Sequence, residues 1–194
     1  MEIFLRDWYN IENTKKGDIF MEEYRIALEL IRRRRSCRAF EAQAPAREVL
    51  EEIIEAGRYA PSGMNRQRTR FFVAQGEKVK KLSAIVSRLR EDYKDKDCTY
   101  GAPVLVLVTN REENPNAKAD AGCVMQNMML AASAVGVGSV WINQFGPLSG
   151  DEELRTLLGM EEDEFICAAL ALGKPAGDLF PGVRERTGHK VIWL

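Results

Sequence analysis

Residues 118–142 read KADAGCVMQNMMLAASAVGVGSVWI, and the fold class follows from this stretch and its neighbours. Residues 118–135 predict a helix rich in Ala and Met that is apolar on nearly every face, so we expect it to be buried on more than one side. Residues 139–142 predict a short strand after it. Burial inside one domain and burial in a dimer interface both explain such a helix, and the pattern leaves the two alternatives open.

On both sides of this stretch, helical and strand patterns interleave. Further helices are predicted from residue 22 to the arginines at 32–35, and over 46–58, 77–91 and 151–158. Further strands are predicted over 69–74, 103–109 and 165–172, with a last edge strand over 191–194. Long helices among few strands predict an α+β fold with three α/β/α layers. Because no repeat or Pro/Ser-rich linker divides the pattern, we expect one domain over residues 21–194, preceded by an N-terminal arm over residues 1–20.

The composition limits the classes of function. The chain has 194 residues, of which 45% are hydrophobic, and 28 Lys and Arg oppose 29 Asp and Glu, for a net charge of -1. This balance disfavours a protein built to bind nucleic acid. No apolar run reaches the roughly 18 residues of a membrane span, and the N-terminus lacks the basic-then-apolar order of a signal peptide. We therefore expect no membrane association.

The cysteines and the single histidine limit the chemistry. The four cysteines lie far apart without a CxxC pair, which predicts a reduced cytoplasmic protein without a zinc site. Cys123 and Cys167 lie in apolar segments and are expected to be small core residues. With His189 as the only histidine, no His-based triad or multi-histidine metal centre can be assembled. The chemistry is therefore expected to need a bound cofactor and no metal.

The basic motif RRRRSCRAF, residues 32–40, admits several interpretations. A nucleic-acid patch, a targeting signal, a solvated helix end and a phosphate site are all compatible with it. Arg34, Arg35, Ser36 and Arg38 offer guanidinium forks and a hydroxyl that match a terminal phosphate. Taken alone, the solvated helix end is favoured, because charge runs usually face water.

A second motif, APSGMNRQ at residues 60–67, predicts a loop. Its short polar side chains and its glycine suit hydrogen bonding to the edge of a planar heterocycle. Such residues also populate ordinary loops, so this motif alone is weak.

The order of the motifs resembles that of the nitroreductase family of FMN-dependent oxidoreductases. The set is RRSCRAF (34–40), APSGMNRQ (60–67), AGCVMQNMMLAASAVGVGSVWI (121–142) and ALALGKPAG (169–177). The resemblance implies a nitroreductase-like fold, in which a central mixed, mainly antiparallel sheet is flanked by helices. It also implies an intertwined homodimer with shared active sites.

The resemblance further implies which residues bind FMN. Arg34, Arg35 and Ser36 would hold the phosphate and ribityl chain, and Arg38 would approach the pyrimidine end of the isoalloxazine ring. A fixed positive charge there stabilises the anionic reduced flavin and tunes its potential. The other subunit's loop would close over the same flavin through Pro61, Ser62, Gly63, Asn65 and Gln67. Ile142, Asn143 and Gln144 would lie beside the ring near N5, and Arg184 and Arg186 would complete the phosphate grip.

Two features depart from the family pattern. Arg68 and Thr69 follow Gln67 where the family commonly has Pro-Trp, which puts the stiffness of the loop in question. The helical insertion that many members place over the active site is short here, confined to residues 91–100. The substrate therefore cannot be transferred from the family.

The activity implied by the resemblance is an FMN-dependent NAD(P)H oxidoreductase. NADH or NADPH passes a hydride to flavin N5 and leaves, and an electron-poor acceptor such as a nitroaromatic, quinone or enone then takes the electrons. The protein needs no general base, so Asp120, Glu164 and Tyr100 are expected to be structural or surface residues. One alternative keeps FMN but changes the reaction to reductive dehalogenation, flavin fragmentation or flavin binding without robust reductase activity. The other is a nucleic-acid binder that uses residues 32–35.

Overall fold

The structure, a computed structural model, describes residues 15–177, 185–188 and 190–194, with only the backbone described for residues 15–20. These residues divide into two compact units, and each is described by itself. One unit contains residues 15–34 and the described part of 185–194. The other contains residues 35–177.

The smaller unit contains helix α1, Lys15–Arg33. The helix begins earlier than the predicted start at residue 22, because the apolar periodicity that marks a helix in the sequence is absent from its first turns. Residues 15–20, expected to be the end of an arm, are helical, and residues 1–14 lie outside the described residues. Residues 191–194 are exposed and form no strand, so the predicted edge strand is wrong. An apolar run becomes a strand only when a neighbouring strand supplies hydrogen bonds.

The larger unit contains four helices and four strands, close to the predicted ones. The helices are α2 (Arg47–Arg58), α3 (Glu77–Leu89), α4 (Ala117–Ala134) and α5 (Glu152–Leu158). The strands are β1 (Arg70–Gln75), β2 (Val104–Arg111), β3 (Gly138–Ile142) and β4 (Glu164–Gly173). Short 3-10 turns occur at Gly63–Asn65, Glu91–Tyr93 and Gly146–Leu148.

The four strands form one sheet in the order β1-β2-β4-β3. All three strand pairings are antiparallel. A single parallel bridge joins Ser36 to Ser139 on β3. The predicted mainly antiparallel character of the sheet is confirmed, and β1 and β3 are its two edge strands.

A core layer covers each face of the sheet. Alternate residues of β2 point to opposite faces, as the pleat of a strand requires. Val104, Val106 and Val108 pack with α2 and α4, whereas Leu105 and Leu107 pack with α3 and α5. The predicted three-layer α/β/α arrangement is therefore confirmed.

Helix α4 packs against α2 and the sheet. Gly57 of α2 allows the close approach, since a Cβ atom there would lie 2.8 Å from Cγ of Met128. Core burial thus explains most of the apolar surface of α4. A strip on its other side is exposed or half-buried, and its members are Ala119, Gly122, Cys123, Gln126, Leu130 and Ala134.

The expectation that Cys123 and Cys167 are core residues is corrected by the structure. Cys123 is exposed and Cys167 is half-buried, whereas Cys37 and Cys98 are fully buried. A helix that is apolar all round carries no polar face to mark its outer side, so the sequence could not place Cys123. None of the helices in the described ranges is long and apolar enough to cross a membrane.

Candidate functional site

The basic motif lies along the edge of the sheet. The N–H of Cys37 donates to the carbonyl oxygen of Ser139 at 2.9 Å, and the N–H of Ala176 donates to the carbonyl oxygen of Ala39 at 3.0 Å. A bridge between Phe40 and Pro175 continues this pairing. Residues 36–40 therefore form an extended segment fixed to β3 and to the chain that follows β4.

The extended backbone sends alternate side chains to opposite sides. The side chain of Cys37 is buried in the core, and burial raises the pKa of its thiol. Ser36 and Arg38 on either side of it are exposed, and Arg35 is half-buried. Arg38 forms no hydrogen bond or ion pair within the part of the chain that the structure describes. A cation and a hydroxyl are thus presented together at the edge of the sheet.

The other end of β3 carries the second predicted group. The side chain of Ile142 is buried in the core, so only its backbone is available to a ligand. Asn143 is exposed, and Nε2 of Gln144 donates to the hydroxyl of Tyr93. Ser139 and Ile142 are separated by about 10 Å of strand at 3.3 Å per residue. The structure therefore brings the basic segment and residues 142–144 together along one strand.

The loop of residues 61–69 has an unusual backbone. Met64, Asn65 and Gln67 have φ values of 56°, 53° and 52°, in the left-handed region that side chains disfavour. The N–H of Gln67 donates to Oγ of Ser62 at 3.0 Å, and Nε2 of Gln67 donates to Oδ1 of Asn65 at 2.9 Å. These bonds close the loop upon itself. Strained backbone of this kind clusters at functional sites.

This loop precedes β1, at the opposite edge of the sheet from β3. Two strands separate β1 from β3, so the two edges lie about 14 Å apart at 4.8 Å per strand spacing. Within residues 35–177 the structure therefore does not bring Pro61, Ser62, Gly63, Asn65 and Gln67 to the segment of Ser36 and Arg38.

The remaining predicted site residues lie in the smaller unit or outside the described residues. Arg34 belongs to the smaller unit, where its N–H donates to the carbonyl oxygen of Leu30 at 3.1 Å. Arg186 is exposed in the same unit. Arg184 lies outside the described residues.

Two observations concern the fit of a cofactor at β3. The indole N–H of Trp141 is buried and has no acceptor among the described residues. A buried donor without an acceptor is costly, so a bound molecule or a second subunit is expected to complete its surroundings. The donor set of Arg38 and Ser36 also suits an anionic, hydrogen-bonding cofactor. Within the described ranges, no three His, Cys, Asp or Glu side chains are placed to share a metal ion.

Comparisons with known proteins identify the family. The model of the nitroreductase family matches residues 31–174. The chain belongs to the nitroreductase family. A crystal structure of a nitroreductase with bound FMN from Bacteroides fragilis superposes with a TM-score of 0.78 and 33% identity, covering 86% of this chain and 98% of that one. The family and the nitroreductase fold predicted from the motifs are thereby confirmed.

Two relatives extend this comparison. YdjA of Escherichia coli strain K12, which carries the name of an NAD(P)H nitroreductase, is 32% identical over 163 residues, or 77% of this chain and 88% of the relative. An iodotyrosine deiodinase of Thermotoga neapolitana is 27% identical over 135 residues, or 60% of this chain and 73% of the relative.

Sequence reasoning missed two neighbours of the site. Tyr93, in the short insertion, contacts Gln144, and Asp120 of α4 contacts Gly63 of the loop. Both contacts join residues more than fifty positions apart, so no local pattern could have revealed them. An aspartate in the first turn of a helix is normally explained by the helix dipole alone.

Proposed function

We propose that this member of the nitroreductase family is an FMN-dependent oxidoreductase that uses NADH or NADPH to reduce an electron-poor acceptor such as a nitroaromatic, quinone or enone. Bound FMN supplies hydride transfer at its N5 atom. The placement of the basic segment and residues 142–144 along one strand carries the proposal. The match to an FMN-bound nitroreductase supports it.

The chain's own residues would bind and polarise the cofactor. Arg35 and Ser36 would hold its phosphate and ribityl chain, together with Arg34, Arg184 and Arg186 as the sequence predicts. Arg38, which has no ion pair with any described residue, is available to a negative charge on the ring. A guanidinium placed near flavin N1 and O2 favours the anionic reduced form. The backbone of Ile142, with Asn143 and Gln144, would line the ring near N5.

We propose further that the active enzyme is a homodimer with two shared sites. Loop 61–69 and the basic segment lie at opposite edges of the same sheet, so one chain alone does not bring them together. A second copy placed against the exposed strip of α4 would supply its loop to the first copy's cofactor. Small side chains such as Ala119 and Gly122 permit such close packing of helices. Each site would then contain Pro61, Ser62, Gly63, Asn65 and Gln67 from the partner.

The alternative reaction with the same cofactor is reductive dehalogenation, and the similarity to an iodotyrosine deiodinase gives it weak support. The nucleic-acid alternative is weaker still, because Arg33 at the end of α1 pairs with Glu29 at 3.7 Å. The four cysteines are free thiols, which supports the predicted cytoplasmic location.

A steady-state assay tests the proposed reaction. Purified protein loaded with FMN is supplied with NADH or NADPH and with nitrobenzene, a quinone or an iodotyrosine as the acceptor. We expect oxidation of the nicotinamide that depends on FMN and proceeds with the first two acceptors. Turnover of the iodotyrosine alone would replace the proposed reaction with dehalogenation.

A further inference from the structure

Three buried polar side chains lie beneath loop 61–69. Asn110 belongs to β2, Asn114 follows it, and Asp120 lies in the first turn of α4. Their exposed fractions are 1%, 4% and 5%. Burying polar groups is costly unless they are hydrogen-bonded. The hydrogen-bond partners of these three side chains therefore indicate their structural role. We refer to these three residues as the loop clamp.

The loop clamp contacts both ends of the loop. Oδ1 of Asp120 accepts the N–H of Gly63 at 2.9 Å, and Oδ2 accepts Nδ2 of Asn114 at 2.9 Å. Nδ2 of Asn114 also donates to Oδ1 of Asn110 at 3.2 Å. Nδ2 of Asn110 reaches Oγ1 of Thr69 at 3.4 Å. A continuous chain of hydrogen bonds thus runs from Gly63 to Thr69 through the protein interior.

The buried charge of Asp120 favours one position of the loop over others. The ion pairs of the described residues do not include this carboxylate, and its hydrogen bonds come from two amide donors, the N–H of Gly63 and Nδ2 of Asn114. If the loop moved away, Oδ1 would lose the N–H of Gly63 and the buried carboxylate would keep only Asn114. Hydrogen bonds to a charged acceptor are stronger than neutral ones. The buried charge therefore favours the loop conformation seen in the structure.

The exposed side chain of Asn116 contacts the loop from a second side. A Cβ atom added to Gly63 would lie 2.3 Å from Nδ2 of Asn116, far inside any normal contact. Gly63 is therefore enclosed between the carboxylate of Asp120 and the side chain of Asn116. Arg68 adds an ion pair with Glu113. Among the described residues, the side-chain hydrogen bonds and the ion pair that join the loop to the rest of the chain involve residues 110–120, which explains how the loop is held without the Pro-Trp pair common in the family.

We propose that Asp120, supported by Asn114, is a positioning residue that holds loop 61–69 in the conformation in which it closes over the cofactor of the partner subunit. The role in cofactor binding rests on the proposed function. The role in holding the loop does not, so the two parts can be tested separately.

Limited trypsin digestion without FMN tests the hold on the loop. Trypsin cleaves after Arg66 and Arg68, which lie in the exposed part of the loop. Asp120→Asn keeps the shape of the side chain but places an NH2 group against a donor. We expect cleavage in the loop to become about tenfold faster, as the loss of one hydrogen bond to a charged group implies. Cleavage at the wild-type rate would overturn the proposal.

Asp97→Asn is the matched control. Asp97 also accepts backbone N–H groups, from Thr99 and Gly101, but it holds residues 97–101 rather than loop 61–69. This variant should accelerate cleavage after Lys94 and Lys96 and leave cleavage after Arg66 and Arg68 unchanged. Faster cleavage in loop 61–69 of Asp97→Asn would mean that global loosening explains the result, and would overturn the proposal.

Titration with FMN tests the positioning role. In Asp120→Asn the dissociation constant of FMN should rise about tenfold, in step with the faster loop opening. The exchange Asn114→Asp with Asp120→Asn restores a carboxylate facing an amide but places a carboxylate oxygen against Oδ1 of Asn110, so it should recover part of the affinity. Failure of the exchange to recover affinity would contradict positioning through this pair. If Asp120→Asn does not fold, Gly63→Ala displaces the loop without removing the charge, and should give the same faster cleavage after Arg66 and Arg68.

The two proposals fail in different ways. Wild-type protein that takes up no FMN would overturn the proposed function, whatever the digestion shows. Wild-type protein that binds FMN while Asp120→Asn binds it equally well would overturn the positioning role alone.

Discussion

The N–H of Cys37 donates a hydrogen bond of 2.9 Å to the carbonyl oxygen of Ser139 and so fixes the basic motif to edge strand β3. This pairing buries the thiol of Cys37 and leaves Ser36 and Arg38 exposed on either side of it. The basic residues of the motif therefore belong to two different structural elements. The charge of Arg38 stands at the sheet edge, whereas Arg33 remains part of helix α1.

Arg38→Ala should impair flavin reduction more than folding. The exposed guanidinium has no ion pair among the described residues, so its removal should change the free energy of unfolding by less than about 0.5 kcal/mol. Loss of a positive charge near the ring should slow anaerobic reduction by NADH or NADPH by about tenfold. Stopped-flow absorbance and thermal unfolding measure the two quantities. Arg47→Ala, which removes an exposed arginine paired with Glu51 on α2, is the control. Equal reduction rates in both variants would contradict the role of Arg38.

Gly138→Ala should loosen the motif from β3. The added Cβ atom would lie 2.9 Å from Sγ of Cys37 and 3.1 Å from Cγ of Pro175. We expect a loss of about 1–3 kcal/mol in the free energy of unfolding, as for other overpacked sites. Cys37→Ala in the same chain should recover part of it. Gly150→Ala, where nothing lies within 4 Å, is the control for urea denaturation and should be nearly neutral. A neutral Gly138→Ala variant would contradict this close contact.

The carboxylate of Asp97 should make stability depend on pH. Burial alone would raise its pKa, but hydrogen bonds from Thr99, Ser83 and Gly101 outweigh burial and lower the pKa. A lowered folded-state pKa contributes stability above the unfolded value near about 4 and loses it as the pH falls through the folded value. Asp97→Asn should therefore be less stable than wild type at pH 7, and the difference should shrink below pH 4. Denaturation curves at several pH values measure it, and a difference that stays constant would contradict the prediction.

Thiol labelling tests the proposed dimer through α4. Cys123 is exposed on the strip of α4, whereas burial raises the pKa of Cys98 to about 11 and that of Cys167 to about 12. In a dilute monomer, Cys123 should therefore react first with iodoacetamide. At concentrations where the protein sediments as a dimer, the rate of labelling of Cys123 should fall about tenfold. Equal labelling of Cys123 in monomer and dimer would place the interface elsewhere.

Much of the fold could be predicted from the sequence because its elements carry strong patterns. The apolar run of β2 and the amphipathic stripe of α2 each identify one element, and the structure places both within two residues of the prediction. The prediction of a strand at residues 191–194 is wrong, since an apolar run does not show whether a neighbouring strand is present to pair with it. Helix α4 was placed correctly, but its uniform apolarity concealed which side faces outward.

The candidate site was predictable only in part. The motif at residues 34–40 and the segment 142–144 could be identified because each is continuous in the sequence. The contact between Asp120 and Gly63 joins residues 57 positions apart and depends on the packing of α4 beneath the loop. The separation of loop 61–69 from β3 likewise follows from the strand order, which the sequence pattern does not specify.

The absorbance spectrum of the purified protein tests the central claim most directly. We predict a yellow protein, or one that becomes yellow on addition of FMN, whose visible flavin band bleaches when NADH or NADPH is added without oxygen. A colourless protein that takes up no added FMN would contradict the account.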